Sequence, residues 1–244
     1  MTDTATRNPL GSHAASDAVR PAARATFDWL FVVAVLAVIA TFIRAIYFTP
    51  IEALQGPAQK IYYVHPPSAW VAFLAFGIVA IASLGYLWMK DMRLDRLAES
   101  SAEVGVVFTT ITLMTGSLWG KPIWGTWWTW DARLTSTLFL WFIYVGYLIL
   151  RGAVEDHGMR ARYSAVLGIL GSLLIPFIHL SVYLFRTLHP MPIIGKPSKP
   201  SLPNDMLETF LLAFCSFTLL YVALLRARYR LATDRAALEA EEGR

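Results

Sequence analysis

Residues 29–48 read WLFVVAVLAVIATFIRAIYF and carry a single charged side chain, Arg44. A run of about 20 apolar residues is long enough to cross the hydrocarbon core of a bilayer as an α-helix. A lone segment in lipid satisfies its backbone hydrogen bonds only in that form. Arg44 lies four residues before the end of the run, where its long stem can carry the charge to the interface. The run therefore predicts a membrane-spanning helix.

Five further apolar segments follow, at residues 69–89, 104–118, 134–150, 164–185 and 207–225. The segment at 104–118 is short and follows Glu99 and Glu103, so we expect its helix to begin earlier, with those carboxylates near the lipid headgroups. Pro176 is expected to kink the fifth helix. The chain is 56% hydrophobic and only 16% charged, which fits the same interpretation. The predicted fold class is an all-α membrane protein with six transmembrane helices.

Lys and Arg are unevenly distributed between the loops. Fourteen lie in the two terminal tails and in the loops after the second and fourth spans, whereas six lie in the remaining loops. The positive-inside rule therefore predicts that both termini are cytoplasmic. The loops expected on the outer face are 49–68, 119–133 and 186–205. The net charge of +4 is interpreted as a topology signal rather than as a nucleic-acid surface.

Three regions are predicted along the chain. Residues 1–26 are polar and Ala-rich, which favours a disordered cytoplasmic tail. Residues 27–225 form the six-helix membrane domain, and residues 226–244 form a cytoplasmic C-terminal tail.

Two features that the sequence lacks, paired cysteines and an ATP-binding motif, exclude particular kinds of chemistry for this chain. The only cysteine, Cys215, lies in an apolar run and is predicted to be a small buried hydrophobe, which leaves no intramolecular disulfide and no CxxC or CxxCH motif. No GxxxxGK[ST] motif is present, so we expect no ATP hydrolysis by this chain.

The loop at 119–133 reads WGKPIWGTWWTWDAR and is dense in tryptophan. Its five indoles are Trp119, Trp124, Trp127, Trp128 and Trp130. One or two such residues would indicate an interfacial aromatic belt, but a belt needs rings spaced around the bundle rather than gathered in one loop. A flat apolar platform edged by indole N–H donors suits a large planar ligand at the membrane surface. Asp131 is expected to cap the fourth helix, which does not exclude a second role.

Two histidines flank this loop, His65 in YYVHPPSAW and His189 in RTLHPMP. Each precedes a proline, which favours extended geometry outside a regular helix. Each lies at the outer end of a span, so the two imidazoles are expected at similar depth. Two neutral imidazoles can ligate one metal from opposite faces, which is axial haem ligation if a tetrapyrrole lies between them. The alternative is a pair of interfacial histidines with ordinary hydrogen bonds; the matched placement beside the tryptophans favours ligation.

The other histidines rank lower. His13 in the tail and His157 in a loop are predicted to be solvated. His179 lies inside the fifth span, ten residues before His189, and is expected to make a hydrogen bond near the site or a helix-packing contact. Met191 is a weaker axial candidate.

A haem also carries two propionates that need cationic partners. The outward cations near the loop are Lys60, Lys121, Arg133 and Arg186. Each is equally suited to anchor a helix end, so the choice among them stays open at this point.

Residues 119–136, WGKPIWGTWWTWDARLTS, resemble the tryptophan-rich WWD signature of haem-handling proteins in cytochrome c maturation. With the two histidine motifs and six spans, the chain resembles the haem exporter protein C (CcmC) family over essentially its whole length after the tail. The resemblance implies haem b at the periplasmic face of the bacterial inner membrane, with His65 and His189 as axial ligands. It also implies contacts to haem from the WWD loop, namely Trp119, Trp124, Trp127, Trp128, Trp130, Asp131 and Arg133.

The resemblance further implies partners. Haem would pass to the haem chaperone CcmE for c-type cytochrome biogenesis, in a complex with the ABC transporter subunits CcmA and CcmB and the small subunit CcmD. Membrane lipid is an expected partner and nucleic acid is not. The chain would be a haem-handling subunit rather than an enzyme, which agrees with the missing ATP motif.

Three alternatives stay open on the sequence. A related WWD haem lyase or synthetase would attach haem to apocytochrome c itself. A membrane-embedded b-type electron-transfer cytochrome would place histidine pairs within the spans. A plain permease subunit with an aromatic belt would bind no haem and would tolerate substitution of Trp127 or Trp128.

Overall fold

The computed structural model describes residues 28–191 and 202–242, and in these ranges the architecture is entirely helical. The tail predicted at 1–26, its neighbour residue 27, part of the loop predicted at 186–205 and the last two residues lie outside them. The helices are α1 (Trp29–Ile43), α2 (His65–Met89), α3 (Met92–Trp124), α4 (Ala132–Ala153), α5 (His157–Ser172), α6 (Leu174–Leu184) and α7 (Asn204–Glu242). A π-helical turn (Arg44–Phe48) extends α1, and a 3-10 helix (Pro57–Tyr63) precedes α2.

Six segments of the described chain are long and apolar enough to span a membrane, which confirms the predicted fold class. They are Trp29–Phe48, Pro57–Met89, Met92–Trp124, Ala132–Ala153, His157–Leu184 and Asn204–Glu242. The first has the bounds predicted from its hydropathy. We call the end of the bundle that carries residues 49–64, 119–131 and 185–191 the tryptophan end.

Four helices begin at an aspartate whose carboxylate accepts a backbone N–H of the first turn. These capping residues are Asp28, Asp91, Asp131 and Asp156. The bond from the Leu134 amide to Asp131 Oδ1 is 2.8 Å long, which confirms the predicted cap of α4. Such caps satisfy amides that have no partner within the helix.

Helix α3 is longer at both ends than the apolar segment 104–118 from which it was predicted. It begins at Met92, as the expected earlier start requires, and it continues to Trp124, so the predicted loop at 119–133 is helical over its first six residues. Gly120 lies within the helix, and the helix ends at Gly125, whose φ of +77° suits the left-handed C-terminal position. Only residues 125–131 lie between α3 and α4 outside a helix.

The fifth span is broken at Leu173 into α5 and α6, three residues before Pro176. A proline ring clashes with the carbonyl four residues earlier, here that of Ser172, and donates no hydrogen bond to it. The predicted kink is therefore confirmed.

Close helix contacts in the core occur at small residues. A Cβ on Gly105 of α3 would lie 2.5 Å from the Phe76 ring of α2, and one on Gly168 of α5 would lie 2.8 Å from Val79. Phe76 in turn stacks on Tyr144 of α4, with ring centroids 3.7 Å apart. Since lipid gives no hydrophobic drive for helix association, such close packing is what holds the helices together.

The end opposite the tryptophans is joined by ion pairs. Arg151 of α4 donates two bonds to Asp95 of α3, at 2.7 and 2.9 Å, and one to Glu99 at 2.9 Å. Both partners of the Arg151–Asp95 pair are only 4% exposed. Glu103 pairs with Arg228 on α7, which continues as a helix to Glu242, well beyond the predicted domain end at residue 225.

Cys215 is exposed on α7, so the prediction that it is buried is wrong. The apolar run around it shows that the residue lies in a spanning helix, but it does not show which side faces the bundle. Ala213, Ser216 and Phe217 take the inward positions instead.

Candidate functional site

The two histidines singled out in the sequence lie side by side at the tryptophan end. Their ring centroids are 6.2 Å apart and the ring planes are inclined by 36°. His189 lies beyond α6 outside any helix, as predicted. The corresponding prediction for His65 is wrong, because it is the first residue of α2. Pro66 and Pro67 fall in the first helical turn, where an amide needs no partner within the helix and proline is tolerated.

The tautomer of His65 is fixed by its neighbours on α3. Its Nδ1 lies 3.0 Å from the carbonyl oxygen of Thr112 and 3.2 Å from the hydroxyl of Thr115. A carbonyl oxygen only accepts hydrogen bonds, so Nδ1 carries the proton and donates. The lone pair of the neutral ring is then on Nε2, which is the atom left to bind a metal ion.

His189 is held by its own chain and by Arg133. Its Nδ1 lies 3.1 Å from the carbonyl oxygen of Pro190 and 3.4 Å from Nη1 of Arg133. The carbonyl oxygen only accepts and the guanidinium only donates, so the two contacts favour opposite tautomers and do not assign the proton of His189. Burial, and then the charge of Arg133, lower the pKa of His189 to about 4. The ring is therefore neutral at pH 7, the form that a metal ion requires.

The spacing of the pair fits one metal ion between the rings. Two metal–nitrogen bonds of about 2 Å each, with the half-widths of two imidazoles, amount to about 6 Å. Within residues 28–191 and 202–242 no cluster of three or more His, Cys, Asp or Glu surrounds this point. Two protein ligands without a third suit an ion that brings its other ligands along, as the iron of a haem does.

Two of the five loop tryptophans lie beside the pair. Trp119 approaches His65 edge-on at 5.9 Å between ring centroids, and its indole N–H donates to Gln55 at 3.1 Å. Trp124 lies 6.4 Å from His189. Both are on the last turns of α3, which explains why they meet rings from two other segments.

The other three tryptophans lie in the non-helical segment between α3 and α4. Trp127 and Trp130 are 56% and 78% exposed, and Trp128 meets Trp130 at nearly a right angle. The rings of Trp128 and Trp130 are therefore not coplanar, as a single flat platform would require. The helical end of α3 carries two indoles to the histidines, while residues 127–130 lie in the non-helical segment before α4.

Buried polar atoms without a partner also mark this end of the molecule. Trp128 Nε1, Asp131 Oδ2 and Thr135 Oγ1 have no hydrogen-bond partner among the described residues. Such groups cost free energy when left unsatisfied, so they favour a polar partner that the protein itself does not supply.

Of the four cations predicted near the loop, Arg133 is the one that contacts the histidine pair. Lys60 donates to the backbone carbonyls of Thr49 and Pro50. Lys121 donates to the Gly125 carbonyl and lies over the Trp127 ring, and Arg186 is exposed. Of the four cations that the sequence offered as propionate partners, Arg133 is therefore the one that lies beside the histidine pair.

His179 and Met191 do not join the site. His179 is exposed on α6 and has no hydrogen bond within the described part of the chain, so the predicted hydrogen bond near the site is wrong. Met191 is 54% exposed.

Sequence reasoning missed the residues that hold His65, namely Thr112, Thr115 and Gly116. They lie on the inner face of α3, and a Cβ on Gly116 would come within 3.0 Å of the imidazole. Their only local signal is a small, hydroxyl-rich turn within an apolar span. That pattern is common at helix contacts and does not by itself indicate a ligand.

The fold and the site define a class: a polytopic helical membrane protein that carries paired histidines and a tryptophan-rich segment at one end of its bundle. Residues 10–242 match the family model described as CcmC, heme exporter protein C. The chain belongs to this family, which confirms the resemblance drawn from the sequence.

Three relatives that carry the name of the family support this assignment. Heme exporter protein C of Bradyrhizobium diazoefficiens is 41% identical over 181 residues, covering 74% of this chain and 69% of the relative. The protein of the same name from Haemophilus influenzae is 40% identical over 186 residues, with 75% of each chain covered. That of Rhodobacter capsulatus is 32% identical over 217 residues, covering 88% of this chain and 90% of the relative.

Proposed function

We propose that this chain holds haem b at the periplasmic face of the bacterial inner membrane and passes it to the haem chaperone CcmE for c-type cytochrome biogenesis. It acts as a haem-handling subunit beside the ABC transporter subunits CcmA and CcmB and the small subunit CcmD. The observation that carries the proposal is the 6.2 Å separation of the His65 and His189 rings. The name of the family, heme exporter protein C, supports haem as the cargo.

Haem would supply the iron, and His65 and His189 are the residues that would hold it. The proton on Nδ1 of His65 leaves Nε2 of that ring available to a metal ion. Trp119 and Trp124 bound the space beside the two imidazoles.

The propionates need donors at the same end. Arg133 lies at His189 and the unsatisfied indole N–H of Trp128 lies on the neighbouring segment, so both are candidates. A guanidinium is well suited to carboxylates because it donates in a fixed fork. The unpartnered Oδ2 of Asp131 accepts hydrogen bonds, so it suits a hydrogen-bond donor such as one from the partner protein.

The exposed indoles supply a surface for binding of the haem chaperone. Trp127 and Trp130 stand out from the end that holds the histidines, and tryptophan is enriched where proteins bind partners. The excess of Lys and Arg in the tails and in the loops at the opposite end supports a periplasmic location for this surface.

The proposal is tested on purified full-length protein from haem-replete cells. Wild type is expected to carry b-type haem with a low-spin bis-histidine spectrum. His65→Ala and His189→Ala are each expected to lower bound haem at least roughly tenfold, because each removes one of two protein ligands. His179→Ala is the matched control, since that ring is exposed on α6 and makes no hydrogen bond within the described residues.

A colourless wild-type preparation, or equal haem content in all three variants, would contradict the proposal. The recipient is tested separately by offering loaded protein both the periplasmic domain of CcmE and an apocytochrome c. Haem recovered on the chaperone supports the proposed role, whereas direct loading of apocytochrome would assign the chain to the synthetase class.

A further inference from the structure

The imidazole of His65 rests on one turn of α3 formed by Thr112, Thr115 and Gly116, which we call the His65 seat. We propose that this seat fixes both the tautomer and the ring plane of His65, and that Gly116 is a positioning residue whose missing side chain makes room for the ring. The inference rests on the proposed function, because it concerns the same histidine as a haem ligand.

The tautomer follows from the hydrogen-bond roles in the seat. The Thr115 hydroxyl donates its proton to the Ile111 carbonyl at 2.6 Å, so only its lone pairs face His65. The Thr112 carbonyl likewise offers only lone pairs. Nδ1 of His65 thus meets two acceptors, at 3.0 and 3.2 Å, and must carry the proton. Bonds of this kind orient a metal-binding imidazole and raise the basicity of its other nitrogen.

The ring plane follows from the contact with Gly116. A Cβ at this position would lie 3.0 Å from Cε1 of His65, 3.5 Å from Nδ1 and 3.9 Å from Nε2. Cε1 joins the two ring nitrogens, so a side chain there pushes against the edge that carries both the anchoring bond and the metal-binding atom. Trp119, three residues further along α3, lies edge-on to the same ring and limits where it can move.

Among the described residues, none forms a comparable seat for His189. Its Nδ1 contacts the carbonyl of the next residue in a non-helical segment, and the Arg133 guanidinium lies close to the same atom. The two rings are therefore held differently: His65 is fixed by a neighbouring helix, and His189 by its own loop. A substitution that displaces the His65 seat should therefore weaken haem binding through its effect on His65, without an effect on His189.

The first experiment compares a graded series at Gly116 with the same series at Gly146 in haem-loaded, full-length protein. Gly146 lies within α4 and a Cβ there would have nothing within 4 Å, so it controls for the helix-propensity change. Haem loss to excess apomyoglobin is expected to be faster in Gly116→Ala and roughly tenfold faster in Gly116→Val. A high-spin fraction should appear in the ferric spectrum in the same order. Gly146→Ala and Gly146→Val should match wild type.

The second experiment measures the reduction potential of the bound haem. Thr115→Val removes one acceptor of the Nδ1 proton, makes the ligand less basic and shifts the potential to a more positive value. The conservative Thr115→Ser keeps the oxygen and should bring the potential back toward wild type. A merely structural role for Thr115 would not produce this split between valine and serine.

The outcomes separate the two proposals. Wild type without bis-histidine haem defeats the proposed function and the seat together. Wild type with such haem, but with Gly116 variants equal to the Gly146 variants and no valine–serine split at Thr115, overturns the seat alone. Should Gly116→Val fail to fold, the Thr115 pair still decides.

Discussion

Single side chains at the tryptophan end take part in more than one interaction. Asp131 caps α4 with one carboxylate oxygen, and its other oxygen is buried without a partner. Trp119 bonds Gln55 through its indole nitrogen while its ring edge meets His65. A substitution at such a residue therefore changes both the stability of the helix end and the site, and the two effects need separate measurements.

At Asp131, Asp131→Ala is expected to lower the free energy of unfolding by about 1 kcal/mol, because α4 loses its cap. Asp131→Asn keeps an acceptor oxygen at the same position and should cost much less. Thermal unfolding of the haem-free protein in detergent measures both. An alanine variant as stable as wild type would show that the capping bond contributes nothing measurable.

At the scale of helices, the bundle depends on glycines where two helices approach. Helix α3 passes α2 at Gly105, and α5 passes α2 and α4 at Gly168 and Gly171. These contacts place the start of α2 and the end of α3 side by side, and so bring His65 against α3. The break between α5 and α6 redirects the chain toward the tryptophan end, where His189 follows.

Gly105→Ala is expected to destabilise the protein by about 1–3 kcal/mol, because its methyl group would overlap the Phe76 ring, which is itself stacked on Tyr144. Gly77→Ala on α2 is the matched control, since a Cβ there meets nothing within 4 Å. Denaturant or thermal unfolding compares the two. Equal stability of both variants would mean that the core accommodates the extra methyl group without strain.

At the scale of the whole molecule, the two ends of the bundle differ in character. One end gathers indoles and imidazoles, whereas the other gathers ion pairs such as Arg151 with Asp95 and Glu99. Removing one partner of a buried ion pair leaves an uncompensated charge, so these pairs also fix the mutual register of α3 and α4. The proposed haem site therefore lies at the aromatic end, away from the ion pairs that join α3 and α4.

The orientation of the whole molecule is testable with cysteines in a Cys215→Ala background, because Cys215 is the only cysteine in the chain. Leu54→Cys, at a position 94% exposed at the tryptophan end, should react with an impermeant maleimide in intact spheroplasts. Glu155→Cys, in the exposed turn between α4 and α5, should react only after lysis. The reverse pattern would invert the proposed topology and place the histidines in the cytoplasm.

Local patterns in the sequence determined the six spans, the Asp131 cap, the break near Pro176 and the candidate pair of histidines. Each depends on interactions within about one helical turn or on the thickness of a bilayer, so each can be inferred without the fold. The resemblance of residues 119–136 to the WWD signature likewise needed no coordinates. The sequence also placed the tryptophans in one segment, but it did not show that Trp119 and Trp124 lie beside the histidines.

Only the tertiary structure decided that His65 and His189 lie 6.2 Å apart, that Gly116 and Thr115 hold one of them, and that His179 and Cys215 face outward. The reason is physical. In a membrane protein both the lipid-facing and the inward sides of a helix are apolar, so hydropathy does not tell which residues face the bundle. That choice is made by close packing between segments far apart in sequence, and the site is assembled from four of them.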